Sequence, residues 1–219
     1  MIEKSTLKFL AELAVNNNRD WFQANKKSFD AAQANLVEFN GYLIGEIGQF
    51  DDAVVGINPL SCVFRIYRDV RFSKDKSPYK TNLGTYISPG GRKSMQPGYY
   101  FHVQPGRSFI AGGKHVPDGP ETLKIRNAIA ANPDGFLKIV EKKSFRESFG
   151  EMRGDRLKSA PKGFAADHPA VEYLKLKEFM AFTELHDDKF LTSAEFPKSL
   201  VRTLKEMYPL VSFLRATLA

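Results

Sequence analysis

From Cys62 to Ala111 the sequence breaks into short aromatic and β-branched runs, 62–72, 83–88, 98–104 and 108–111, with Pro89-Gly90-Gly91 and Pro105-Gly106-Arg107 between the later ones. Runs this short, punctuated by turn residues, specify an antiparallel meander. A further run, 178–185, adds one more strand. The flanking segments have helical texture. Leu7, Leu10, Leu13 and Ala14 follow a Ser5 or Thr6 cap at three- and four-residue spacing. After Asn16-Asn17-Asn18, the residues Phe22, Phe29, Gln33, Leu36, Phe39, Leu43 and Ile47 keep helical period, predicting a long, bent amphipathic helix that ends near Gln49.

Beyond the meander, Asp118-Gly119-Pro120-Glu121 combines an acid cap, an early proline and a glutamate three residues on. Two helices are expected there, one through Ile129 and one through Phe136, Val140 and Lys143. The tract 146–166 is irregular and reads as a surface loop, and Asp167-His168-Pro169 opens another helix with Asp167 as its cap. Ser193 to Leu218 supplies one or two carboxy-terminal helices, divided at Tyr208-Pro209. The expected fold is α+β, an antiparallel β-meander of four or five strands packed against N-terminal and C-terminal helices. No repeat or linker interrupts residues 1–219, so a single domain is expected, any seam falling near Pro117.

Composition excludes several classes. With 219 residues, 42% of them apolar, the chain can bury a core without disulfide staples. Its single cysteine, Cys62, forms no internal bridge and no cysteine-based zinc cluster, which suits a reducing compartment. No apolar run approaches the roughly 18 residues of a spanning helix, and the segment from Leu7 to Val15 is cut by Glu12, so a cytoplasmic location without membrane association is expected.

Lys and Arg outnumber Asp and Glu by 32 to 25, for a net charge of +7. Almost all of that excess is local. Arg65, Arg68, Arg71, Lys74, Lys76, Lys80, Arg92 and Lys93 stand against only Asp69 and Asp75 between positions 65 and 93. A patch this concentrated implies an anionic partner, although a solvated surface stretch has the same composition.

Within the patch, Phe64 to Phe72 alternates. As a strand it places Arg65, Tyr67, Asp69 and Arg71 on one face, and Phe64, Ile66, Arg68, Val70 and Phe72 on the other. Same-face neighbours lie roughly 6–7 Å apart, so Asp69 can hold both flanking guanidiniums while neutralising only one. The free donors suit a phosphate or carboxylate, which guanidinium forks bind bidentately. Lys74, Lys76, Tyr79 and Lys80 follow in a loop stiffened by Pro78, placed to fold over the arginine face. The competing reading is a set of solvated surface pairs of little energetic weight.

These residues also carry a resemblance. Arg65-x-x-Arg68-Asp69-x-Arg71-Phe72, with Asp75-Lys76 and Tyr79-Lys80 behind it, resembles the signature of a bacterial family catalogued as domain of unknown function 2461. The likeness extends to Asn18-Arg19-Asp20-Trp21-Phe22, Asn25-Lys26, Gly98-Tyr99-Tyr100, Gly112-Gly113 and Asp167-His168-Pro169, nearly the whole chain. It implies that these segments belong to one domain, and brings no activity, cofactor or catalytic residue with it.

Among other candidates, His102 shares a strand face with Tyr100 and is placed for proton transfer, with Asp69 a second candidate. The plainer reading of His102 is a satisfied sheet-surface histidine. None of the four histidines has zinc-site spacing, and Gly90-Gly91-Arg92-Lys93-Ser94 and Gly112-Gly113-Lys114 both miss the phosphate-loop pattern. No metal or cofactor is expected. His186-Asp187-Asp188 reads as a solvated turn, Asn18 or Asp20 as a helix cap, and Trp21 and Phe22 as packing of that helix on the sheet.

The function that follows is a cationic site for a phosphate- or carboxylate-bearing small molecule, with or without catalysis. It would be built from Arg65, Arg68, Asp69, Arg71, Lys74, Lys76, Tyr79 and Lys80. Two alternatives stand beside it: nucleic-acid binding, with Tyr67, Tyr99 and Tyr100 stacking on bases, and a purely architectural Arg-Asp network.

Overall fold

The computed structural model describes residues 1–219. Helices α1 (Lys4–Val15), α2 (Arg19–Ala24) and α3 (Lys26–Ile47) come first, followed by strands β1 (Leu83–Ile87), β2 (Gly98–Val103) and β3 (Ser108–Lys114). Helices α4 (Gly119–Ala131), α5 (Pro133–Val140), α6 (Lys143–Phe149) and α7 (Val171–Leu174) lead to strand β4 (Phe179–Leu185), and α8 (Asp188–Leu191) and α9 (Phe196–Leu218) end the chain. The four strands form one antiparallel sheet in the order β1-β2-β3-β4, so the fold is α+β with N-terminal and C-terminal helices flanking a meander. No helix is long and apolar enough to cross a membrane.

The chain divides into two compact units, the first comprising residues 1–94, 100–110 and 184–202. Here Asn18 caps α2 by accepting from Trp21 N at 2.9 Å, and a break at Asn25 separates α2 from α3 where the sequence predicts one bent helix. Phe9 of α1 gathers Trp21, Phe22 and Phe29 around it with ring centroids 6.0–6.4 Å apart. Trp21 therefore packs on α1 rather than on the sheet. The α3 stripe meets the sheet through Phe39, 5.9 Å from Phe101 and 5.8 Å from Phe196.

The first expected strand, 62–72, does not form as one element. Val63 bridges Thr85 of β1, whereas Tyr67 bridges Tyr79, so the segment changes partners midway and pairs its second half with its own return chain. Arg68 N donates to the Pro78 carbonyl at 3.0 Å and Lys80 N to the Ile66 carbonyl at 2.8 Å, making a short hairpin arm. Alternation survives the change of partner: Arg65, Tyr67, Asp69 and Arg71 are exposed while Ile66 is buried and Arg68 and Val70 are half-buried.

The second unit comprises residues 95–99, 111–183 and 203–219. Strand β3 runs past its expected end at Ala111 through Gly112 and Gly113. A Cβ at Gly112 would lie 2.0 Å from Met207 Sδ, so only glycine permits that approach. The expected capping box opens α4: Glu121 N donates to Asp118 at 2.8 Å, and Asp118 N to Glu121 at 3.0 Å. One helix was expected through Lys143, but α5 ends at Val140 and α6 starts afresh. Asp167 caps no helix; α7 is one turn starting at Val171, and His168 Nδ1 accepts from Ala170 N at 3.1 Å. The expected division at Tyr208-Pro209 is also absent, for α9 runs straight through Pro209. Pro209 and Lys205, four residues back, are both exposed, so water can satisfy the carbonyl that loses its donor.

Candidate functional site

Asn17, in the turn between α1 and α2, fixes the hairpin arm. Its amide donates to the Tyr79 carbonyl at 2.9 Å and accepts from Tyr79 N at 3.1 Å, acting as a strand partner would. The Tyr79 ring lies flat on Phe22 with centroids 4.0 Å apart and is buried. Of the expected binding residues, Tyr79 therefore anchors the arm from within.

The charged residues of the arm sort into separate sets of contacts. Arg68 pairs with Asp75 and donates to the Ser77 carbonyl at 3.2 Å and Ser73 Oγ at 3.3 Å, bracing the tip from beneath. Asp75 also accepts from the Ser77 hydroxyl at 2.5 Å and from Ser77 N at 2.9 Å, and these hydrogen bonds, with that from Arg68, hold its carboxyl down at about 2. Asp69 gives both oxygens to Arg71, at 2.9 and 2.6 Å, which holds its carboxyl below the usual range; Arg65 makes no hydrogen bond to it and adds to the lowering only through its charge. The Lys76 ammonium donates to the Val70 carbonyl at 3.0 Å, so the loop ties back to its own arm instead of folding over the arginines. Lys74 is exposed.

Two cations remain. Arg65 is exposed and forms no ion pair; Lys80 is half-buried with its ammonium 5.6 Å from the centroid of Phe64. Neither a carboxylate nor a carbonyl receives that ammonium. Burial lowers its pKa, and the neighbouring Arg65 charge lowers it further.

Beside Lys80 lies a polar row on the face of β2 opposite its buried Tyr99, Phe101 and Val103. Tyr100 Oη is 3.0 Å from His102 Nδ1, with Asn82 Nδ2 at 3.4 Å, and His102 Nε2 is 3.0 Å from Gln104 Oε1. The Gln104 amide donates to Thr81 Oγ1 at 3.2 Å. With the amide turned that way, Oε1 accepts from His102, so the ring proton sits on Nε2 and the bare Nδ1 accepts the Tyr100 hydroxyl. Phe109 stacks on the imidazole at 4.4 Å and Phe64 meets Tyr100 edge-on at 6.0 Å. Burial, assisted by the Lys80 charge, keeps His102 below its ordinary pKa, and burial pushes the Tyr100 phenol up to about 12. Both groups are neutral at pH 7. Since both ring nitrogens are engaged, His102 can act on a ligand only through Tyr100.

Tyr100, His102 and Gln104 follow a period of two, a signal already present in the sequence. Thr81 and Asn82 are a different case, because their approach to Gln104 and His102 depends on the pairing of β1 with β2. Gly84 makes room for the row: a Cβ there would lie 2.7 Å from Tyr100 Oη. Of the stacking tyrosines, Tyr99 is buried in the core and Tyr67 leans on Phe22 and Tyr79, half of its surface exposed. No group of three or more His, Cys, Asp or Glu residues is arranged to hold a metal ion.

No curated protein and no solved structure matches the chain. A family of conserved hypothetical proteins does, over residues 5–213, which takes in nearly all of α1, the hairpin arm, the whole sheet and most of α9. The chain belongs to that family, DUF2461.

Proposed function

We propose that the protein binds a small molecule bearing a phosphate or carboxylate, with the anion received by Lys80 and Arg65 and the neighbouring part of the ligand lying against Tyr100. One observation carries this reading: Lys80 holds an ammonium half out of water with no protein acceptor, next to a second unpaired cation. Removing a charge from water is unfavourable unless a counter-charge or acceptor replaces the lost hydration. A bound oxyanion supplies that replacement and takes charge-assisted hydrogen bonds from both residues. Arg68, Asp69, Arg71 and Lys76 support the site from behind by fixing the arm, and Tyr79 anchors it.

Isothermal titration calorimetry with inorganic phosphate and with acetate tests the reading. Charged hydrogen bonds contribute about 1.5–3 kcal/mol each, so Lys80→Met and Arg65→Ala should each weaken binding about tenfold or more with the circular dichroism spectrum unchanged. Absence of heat with both anions, or affinity equal in wild type and both variants, overturns it.

A further inference from the structure

At the tip of the arm Phe72 is 97% exposed, a large aromatic ring that packs on nothing in the protein core. Its one ring contact is the Arg71 guanidinium, 5.9 Å from the centroid. An isolated exposed apolar residue is ordinary, but this one stands on a tip built to hold its shape. Ser73 N turns back to the Val70 carbonyl at 3.3 Å, Lys76 grips the same carbonyl, and Arg68 ties Ser73, Asp75 and Ser77 together. The two acids of the tip, Asp69 and Asp75, are consumed by Arg71 and Arg68, which leaves Lys74 and Lys76 as its uncompensated charges.

We propose that this tip is a contact for single-stranded nucleic acid, Phe72 stacking on a base and Lys74 and Lys76 lying along the phosphates. A planar ring beside lysines is the minimum such a contact requires, because every base offers a face to stack on and every nucleotide a negative charge. Charge complementarity also admits an anionic membrane, but the pattern of the tip disfavours it. An interfacial anchor sinks several apolar side chains to one depth, whereas Phe72 stands between Arg71 and Ser73, and Val70 is half-buried in the arm. The contact goes beyond the anion site, since it uses neither Arg65 nor Lys80.

The test is fluorescence anisotropy of a labelled oligothymidylate of about twelve nucleotides, titrated with the full chain across a range of salt concentrations. Phe72→Ala should weaken binding about five- to a hundredfold, the range expected for one base–aromatic stack, and Phe72→Trp should restore it. Lys74→Gln should flatten the log–log salt dependence by about 0.7 while leaving Phe72→Ala sensitivity intact. The fully exposed ring makes unfolding an implausible cause of loss, and thermal melting of each variant verifies this. Absence of binding at low salt, binding indifferent to Phe72→Ala, or Phe72-dependent binding to phosphatidylserine vesicles or polyglutamate in place of the oligonucleotide overturns the proposal. Calorimetry with inorganic phosphate runs alongside, so the tip can fail while Lys80 and Arg65 still bind an anion, or the reverse.

Discussion

Lys114 lies at the end of β3 with its side chain 2% exposed, and its ammonium donates to the Glu121 carboxylate at 2.6 Å and the Met95 carbonyl at 2.7 Å. Lys80, half-buried against Phe64, meets neither kind of acceptor. The two are the same residue type away from water, differing in what the fold supplies. Lys114 joins the end of a strand to the capping box of α4, because Glu121 both receives its charge and closes the box on Asp118. That arrangement is complete without a ligand. A cation whose acceptor is missing is the one that invites a partner from outside, and of these two lysines Lys80 fits that description.

Removing an acceptor should break the comparison most sharply at Lys114. Glu121→Ala leaves a fully buried ammonium with only the Met95 carbonyl and opens the capping box, and breaking a buried pair in this way costs about 3–5 kcal/mol. Urea denaturation measures the loss. A change below about 1 kcal/mol would mean that Lys114 finds water, and that burial with a partner is not what distinguishes it from Lys80.

The polar row comes next. Gly84→Ala places a methyl 2.7 Å from Tyr100 Oη and forces the phenol off His102. Overpacking of this kind costs about 1–3 kcal/mol. The His102 imidazole resonances should shift with it, and an unperturbed imidazole alongside full stability would show that the ring of Tyr100 moves aside freely.

Lys80→Met should have the opposite sign to Glu121→Ala, with stability at pH 7 unchanged or raised, since it removes a charge that folding leaves unsatisfied. The alkaline limb provides a second check. Lys80 has a folded pKa below its unfolded value of 10.5, so between those two values the unfolded chain holds more protons and stability rises with pH. The penalty is complete below the folded pKa and gone above 10.5. Wild type should therefore gain stability through that window relative to Lys80→Met, and parallel curves would place the Lys80 ammonium in water.

Much of this was legible in sequence, and the misses share a cause. Strands β1, β2 and β4, the cap at Asn18 and the box at Asp118 and Glu121 depend on neighbours within a few residues, which periodicity and capping chemistry report directly. The segment 62–72 misled because alternation says that one side is covered, not by which strand, and its partner changes from β1 to the return chain at 78–80. Asp69 illustrates the same limit within the site. Spacing placed it between two arginines, but its own turn brings Arg71 onto both oxygens and leaves Arg65 outside. Pro209 lies inside α9, where exposure lets water take the Lys205 carbonyl that loses its donor. Lys80 was visible only as one more positive charge; its lack of an acceptor is a property of the folded chain.

The smallest effect should be the most informative about the row. His102 has a folded pKa below 6.5, so the unfolded chain binds the extra proton first and stability falls as pH drops from above 6.5 toward the folded value. Nitrogen-15 spectra should show the Nε2–H tautomer at pH 7 and a midpoint below 6.5. Its neighbours pull that midpoint in opposite directions. The Tyr100 hydroxyl donates to the bare Nδ1 and so favours the neutral ring, whereas the Gln104 carbonyl accepts from Nε2–H and favours the charged one. Tyr100→Phe should raise the midpoint toward 6.5, Gln104→Ala should lower it, and Lys80→Met should raise it by removing a like charge. Reversal of both shifts, with Tyr100→Phe lowering the midpoint and Gln104→Ala raising it, would mean the chain of hydrogen bonds runs the other way, with the proton on Nδ1 and the Tyr100 oxygen already occupied. In that case Tyr100 could not accept a hydrogen bond from a bound ligand without first giving up His102.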